Sequence, residues 1–195
     1  MKRRPSLEEA AADHRAEVDA DAEAFRAVPE GAWETPLGEG KWSPAETAEH
    51  LIVIFEKLTG ELGGGASVRF LVPWWQRVLF RRLFLARMLR GGWWPRGVKA
   101  PPEARPAPPL PSWADAPVRL REAADAFERA IRDGLANGRG WVTHPYLGRL
   151  AGAVALRFFA LHARHHREQM ARRLERSRTR TDEAPIGLRR SAGAP

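Results

Sequence analysis

The chain has 195 residues, enough for one substantial core and short for two full domains. Cysteine is absent, which excludes disulfides, thiolate metal ligands and a cysteine nucleophile. The net charge of +8 is local: between Leu62 and Pro102 no residue is acidic and eight are basic, namely Arg69, Arg77, Arg81, Arg82, Arg87, Arg90, Arg96 and Lys99. The rest of the chain carries 24 basic and 24 acidic residues, so the charge belongs to one segment and not to the fold. The N-terminal residues turn charged and alanine-rich without the apolar core of a signal peptide, and no uncharged apolar run reaches transmembrane length. A cytoplasmic protein is expected.

Two helix starts are written in capping boxes, Ser6 with Glu9 and Ser43 with Glu46, where each side chain satisfies an otherwise orphaned backbone donor. The first helix is predicted from about Leu7 to Ala27, with Leu7, Ala11, His14, Val18 and Phe25 on one stripe. The second runs from Pro44 towards Thr59, with Ala48, Leu51, Ile52, Phe55 and Leu58 facing inwards and Thr47, His50 and Ile54 along an edge. A third spans roughly Pro117 to Ala136, capped by Asp115 and closed by Asn137-Gly138, with Leu120, Ala124, Phe127, Ile131 and Leu135 inward. The fourth runs from about Leu150 to Arg176. At every fourth position it reads Leu150, Val154, Phe158, His162, His166, Met170 and Leu174, a row that is apolar but for two histidines. No alternating strand pattern stands out.

Between the second and third helices lies an Arg- and Trp-laced insertion, about residues 62–112, opened by Gly63-Gly64-Gly65 and closed by a proline-rich stretch. Pro73 can only begin a helix, so Trp74 to Arg90 is predicted helical. These borders suggest a segment added between helices and separable from the bundle, residues 1–175. The polar residues from 176 to 195 read as a disordered tail.

The chemistry concentrates on three histidines. His162 and His166 are four apart, so on a helix both imidazoles share one face and can hold one metal ion at about 2.0–2.1 Å. His50, on the inner edge of a well-capped helix, is the best third ligand. Three neutral imidazoles leave a coordination position open, the catalytic rather than the structural pattern. His165 points about 100° away and fits packing or support of a ligand, Gln169 beside it could orient one, and His144 before Pro145 fits a turn. His14 reads as a core-edge residue and Glu46 as a cap. No Ser-His-Asp arrangement and no phosphate-cradling glycine loop is visible.

Trp42-Ser43-Pro44 with Glu46 and His50-Leu51 resembles the second-helix signature of the DinB-like superfamily. The stretch His144-Pro145-Tyr146-Leu147-Gly148, followed by Leu161-His162-Ala163-Arg164-His165-His166-Arg167-Glu168-Gln169, resembles its later part. The resemblance covers about Leu7 to Leu174. It implies an all-α, DinB-like four-helix bundle with metal ligands at His50, His162 and His166 and a bound ion that is usually zinc or nickel. Some members are bacillithiol or mycothiol transferases. Two functions are therefore carried forward. One is a divalent-metal-dependent enzyme of the thiol S-transferase or hydrolase kind, acting on a small molecule such as a low-molecular-weight thiol. The other is a non-enzymatic metal-binding or membrane-peripheral module, in which Arg77, Arg81 and Arg82 beside Trp74, Trp75, Leu79 and Leu83 meet a lipid surface. A lid over the metal is the favoured role of the Trp74-Trp75 and Trp93-Trp94 pairs. A nucleic-acid partner fits poorly, and a homodimer is compatible with the sequence.

Overall fold

The computed structural model describes residues 5–91, 93–95 and 100–182. Its helices are α1 (Leu7–Arg26), α2 (Pro44–Leu62), α3 (Trp74–Phe80), α4 (Ala86–Gly91), α5 (Ala116–Ala136) and α6 (Gly152–Asp182). A π turn, Arg81–Leu85, joins α3 to α4 without a break, and a hairpin of β1 (Trp141–His144) and β2 (Gly148–Ala151) precedes α6. Four long helices, α1, α2, α5 and α6, make the bundle: α1 packs on α6 and α5, and α2 packs on α5. Among the described residues no helix is long and apolar enough to cross a membrane.

Both capping boxes form. Ser6 and Ser43 each accept a hydrogen bond from the amide three residues on, while Glu9 and Glu46 accept from the serine amides. The bundle interior is the predicted set of stripes, with Phe25, Leu51, Ile52, Phe55, Leu120, Phe127, Ile131 and Phe158 almost wholly buried. Ion pairs hold α1 to its neighbours on both sides: Arg167 on α6 reaches Glu17 at 2.6 Å and Asp21 at 2.7 Å, Arg15 on α1 reaches Glu128 on α5 at 2.6 Å, and Arg132 on α5 reaches Glu8 at 2.6 Å.

Several expectations are corrected. The hairpin has no counterpart in the sequence reading, because two four-residue strands are too short to display an alternating pattern. Leu150 lies in β2, and α6 starts at Gly152, whose φ of +47° suits glycine where strand gives way to helix. At its other end α6 continues past Arg176 to Asp182, and residues 183–195 lie outside the described residues. Asp115 makes no side-chain cap, being engaged with the Ser112 hydroxyl at 2.6 Å. Leu135 is exposed rather than inward.

The Arg/Trp segment is tied to the core more firmly than its borders suggest. At the end of the π turn and beyond it, Leu85 and Met88 are buried against the bundle, with Phe80 packed on it before the turn. The proline-rich return is pinned where the Trp33 indole N–H donates to the Pro111 carbonyl at 2.8 Å. Arg96 and Lys99, two of the eight basic residues, lie outside the described residues.

Candidate metal centre

The cap at Ser43 sets the start of α2, and six residues into that helix His50 projects into the bundle, buried. On α6 the 3.6-residue repeat stacks His162 and His166 one turn apart, facing His50. The Nε2 atoms of His162 and His166 stand 3.1 Å apart, and the ring centroid of His50 is 5.5 Å from that of His162 and 4.7 Å from that of His166. One nitrogen from each ring lies within 4.8 Å of the other two, close to the about 4.2 Å that two metal–nitrogen bonds span end to end. Rings from two separate helices turn their nitrogens towards one another rather than towards protein donors, which is the arrangement a divalent ion needs.

The chemistry of the donors agrees. A metal ligand must be neutral imidazole. Burial pushes His50 down to about 4, partly offset by its hydrogen bond to the Ala104 carbonyl. Burial also holds His162 and His166 well below the ordinary histidine range, reinforced by His50 beside both and by His162 beside His166. The His50 Nδ1–H donates to the Ala104 carbonyl at 2.5 Å, which fixes the ring and leaves Nε2 as the nitrogen able to coordinate an ion. His162 and His166 are half-buried, whereas His50 is buried.

The sequence profile of the DinB superfamily matches residues 72–170, which include His162 and His166. This chain belongs to the DinB superfamily. YfiT from Bacillus subtilis, described as a probable metal-dependent hydrolase with an unusual four-helix bundle topology, has the same fold, with a TM-score of 0.53 at 15% sequence identity over 91% of this chain and 93% of that one. Comparison with curated proteins gives no significant match.

Within this DinB-type bundle the three expected ligands come together, and the other singled-out residues do not join them. His165 stacks on Trp94, with centroids 5.1 Å apart, and its Nε2 meets the Gln169 amide at 2.6 Å, so Gln169 supports His165 and no metal ligand. His144 accepts from the Tyr146 and Leu147 amides at 3.2 Å and shapes the hairpin turn, which Gly148 completes with φ at +75°. His14 is not at the core edge but fully buried, wedged edge-on between Phe55 and Phe127. Glu46 is engaged as a cap. Of the four tryptophans offered as a lid, only Trp94 reaches the site, its ring 5.4 Å from His162, whereas Trp74 and Trp75 are exposed.

Two contributors escaped sequence reasoning. Trp42 lies over His50 at 4.7 Å and over His166 at 6.0 Å, held by the turn before α2 in which the Leu37 amide donates to the Trp42 carbonyl. Its place beside Ser43-Pro44 was the available signal. The Ala104 carbonyl gave none, since a backbone acceptor in a proline-rich turn carries no side-chain signature.

Proposed function

We propose that the protein is a divalent-metal-dependent enzyme that activates a small nucleophile for hydrolysis or thiol transfer, with His50, His162 and His166 as the ligands. The observation that carries this reading is the convergence of three neutral imidazoles from two helices. A zinc or nickel ion bound there would keep an open position and lower the pKa of a water or thiol placed at it. The protein's own groups orient the ligands and dry the surroundings: the Ala104 carbonyl fixes His50, while Trp42, Trp94, Phe158 and Phe159 wall the site.

Between the two chemistries, the charged surroundings favour thiol transfer. Among the described residues, the groups acting on the charge of His162 and His166 are histidines and Arg173, with no carboxylate among them. Hydrolysis commonly draws on a general base to take a proton from water, whereas a thiol, with its pKa near 8.5, needs only a modest push to become the nucleophile. Arg173, two turns beyond His166 and without an ion-pair partner among the described residues, suits a substrate that carries a negative group. The wider hydrolase reading rests on the likeness to YfiT.

The test loads the protein with zinc or nickel and offers a low-molecular-weight thiol with a chromogenic carbon electrophile, and separately an activated ester. Thiol consumption that stops with a chelator and in His166→Ala supports thiol transfer. Ester turnover with the same two dependences supports hydrolysis. Bound metal with neither activity would make the site structural.

A further inference from the structure

The Arg/Trp segment presents a second surface that the metal site does not use. One side of α3, the π turn and α4 is packed: Phe80, Phe84, Leu85, Met88 and Leu89 meet the bundle. The opposite side carries Trp74 (70% exposed), Trp75 (53%), Val78, Leu79 and Leu83 (56%), an apolar row at helical spacing turned to solvent. Trp94, at the far end, anchors the segment against His162 and so fixes which side faces out.

The arginines of the segment differ from most of those of the bundle, Arg129 and Arg173 being bundle arginines without an ion pair among the described residues. Arg15, Arg119, Arg121, Arg132, Arg157, Arg164 and Arg167 all have a carboxylate within ion-pair distance. Among the described residues Arg69, Arg77, Arg81, Arg82, Arg87 and Arg90 have none. Arg77 lies over the Phe70 ring at 3.6 Å, Arg87 over Trp93 at 5.1 Å, and Arg81 donates to the Arg149 carbonyl at 2.5 Å, all contacts that leave the positive charge uncompensated. Arg82 sits exposed within the apolar row itself.

We propose that this face docks the protein on an anionic phospholipid surface, with Trp74, Trp75, Leu79 and Leu83 in the headgroup boundary and the arginines on lipid phosphates. A helix so rich in arginine lies in the interface and does not cross it. A second copy of the chain is the weaker occupant: a two-fold pairing of this face would set Arg82 and its neighbours against like charges. Single-stranded nucleic acid would leave Val78, Leu79 and Leu83 without bases to stack on them. The proposal does not depend on the metal chemistry.

The test sediments the full chain with vesicles of phosphatidylcholine alone and of phosphatidylcholine containing about one-third phosphatidylglycerol, at low and high salt. Binding only to the anionic vesicles, weakened by salt, is expected. The double variant Trp74→Ser/Trp75→Ser and the single variant Arg82→Glu should each lower it by about tenfold or more with unchanged far-ultraviolet circular dichroism. His166→Ala should bind vesicles as the wild type does, which separates this surface from the metal site. Equal binding to neutral vesicles, no binding at all, or a concentration-dependent dimer abolished by the tryptophan variant would each overturn the proposal.

Discussion

The six histidines of the chain fall into two groups that burial alone does not distinguish. Burial lowers the pKa of every one: His14 to about 4, His144 to about 3, His165 to about 4, His50 to about 4, and His162 and His166 well below the ordinary range. The difference is what the ring meets. His14 meets two phenylalanines, His144 two backbone amides, and His165 an indole and a glutamine amide. His50, His162 and His166 meet each other. A buried imidazole is therefore a packing element until other ligand nitrogens face it.

The largest expected effect breaks this grouping directly. His162→Ala, His166→Ala or His50→Ala should each weaken zinc or nickel binding by more than about 100-fold, beyond the 10–100-fold typical of losing a supporting residue. His14→Leu should leave affinity unchanged. Titration against a competing chelator measures both, and an equal loss in His14→Leu would mean that the grouping is wrong.

His14 should instead reveal itself in stability. Its folded pKa of about 4 lies below the unfolded 6.5, so between these values the unfolded chain takes up a proton that the folded protein refuses. Its contribution is present above pH 6.5 and is lost as pH falls towards 4, by about 2 kcal/mol at pH 5. Denaturant titrations across that window should show the wild type losing this much more stability than His14→Leu. Parallel curves would contradict the assignment.

Two smaller effects sharpen the comparison at the metal group. Trp94→Leu removes the ring that steadies His162 and His165 and should lower metal affinity by about tenfold, read by the same chelator competition. An unchanged affinity would make Trp94 a spectator. Because the ligand imidazoles are already neutral, affinity should change by less than about twofold between pH 7.5 and 6, where ordinary histidines begin to lose metal to protons. A steep fall in that range would show that the ligands titrate normally.

Much of this was legible in the chain. The capping boxes at Ser6 and Ser43 fix the entry of two helices, and the fourth-position row through Phe158, His162, His166 and Met170 states which face of α6 is inward. In the bundle His50 faces that row, at 5.5 Å from His162 and 4.7 Å from His166 between ring centroids. Contacts made by backbone or by the register of irregular segments were not legible. The Ala104 carbonyl on His50, the His144 turn and the π turn at whose end Leu85 is buried depend on how loops close, and composition does not encode closure. The tryptophan pairs show the same limit from the other side. Trp93-Trp94 and Trp74-Trp75 look alike in sequence, yet Trp94 lies against His162 and Trp74 and Trp75 stand in solvent, because only the bundle decides which side of the segment is covered.

The claim that three histidines form one metal centre is tested most directly by X-ray absorption at the metal edge of protein reconstituted with zinc or nickel, alongside metal analysis. One ion per chain, bound by three imidazole nitrogens at about 2.0–2.1 Å with the remaining position filled by solvent or buffer, is the expected result. Fewer than three imidazoles in the spectrum, or the same spectrum from His50→Ala, would contradict it.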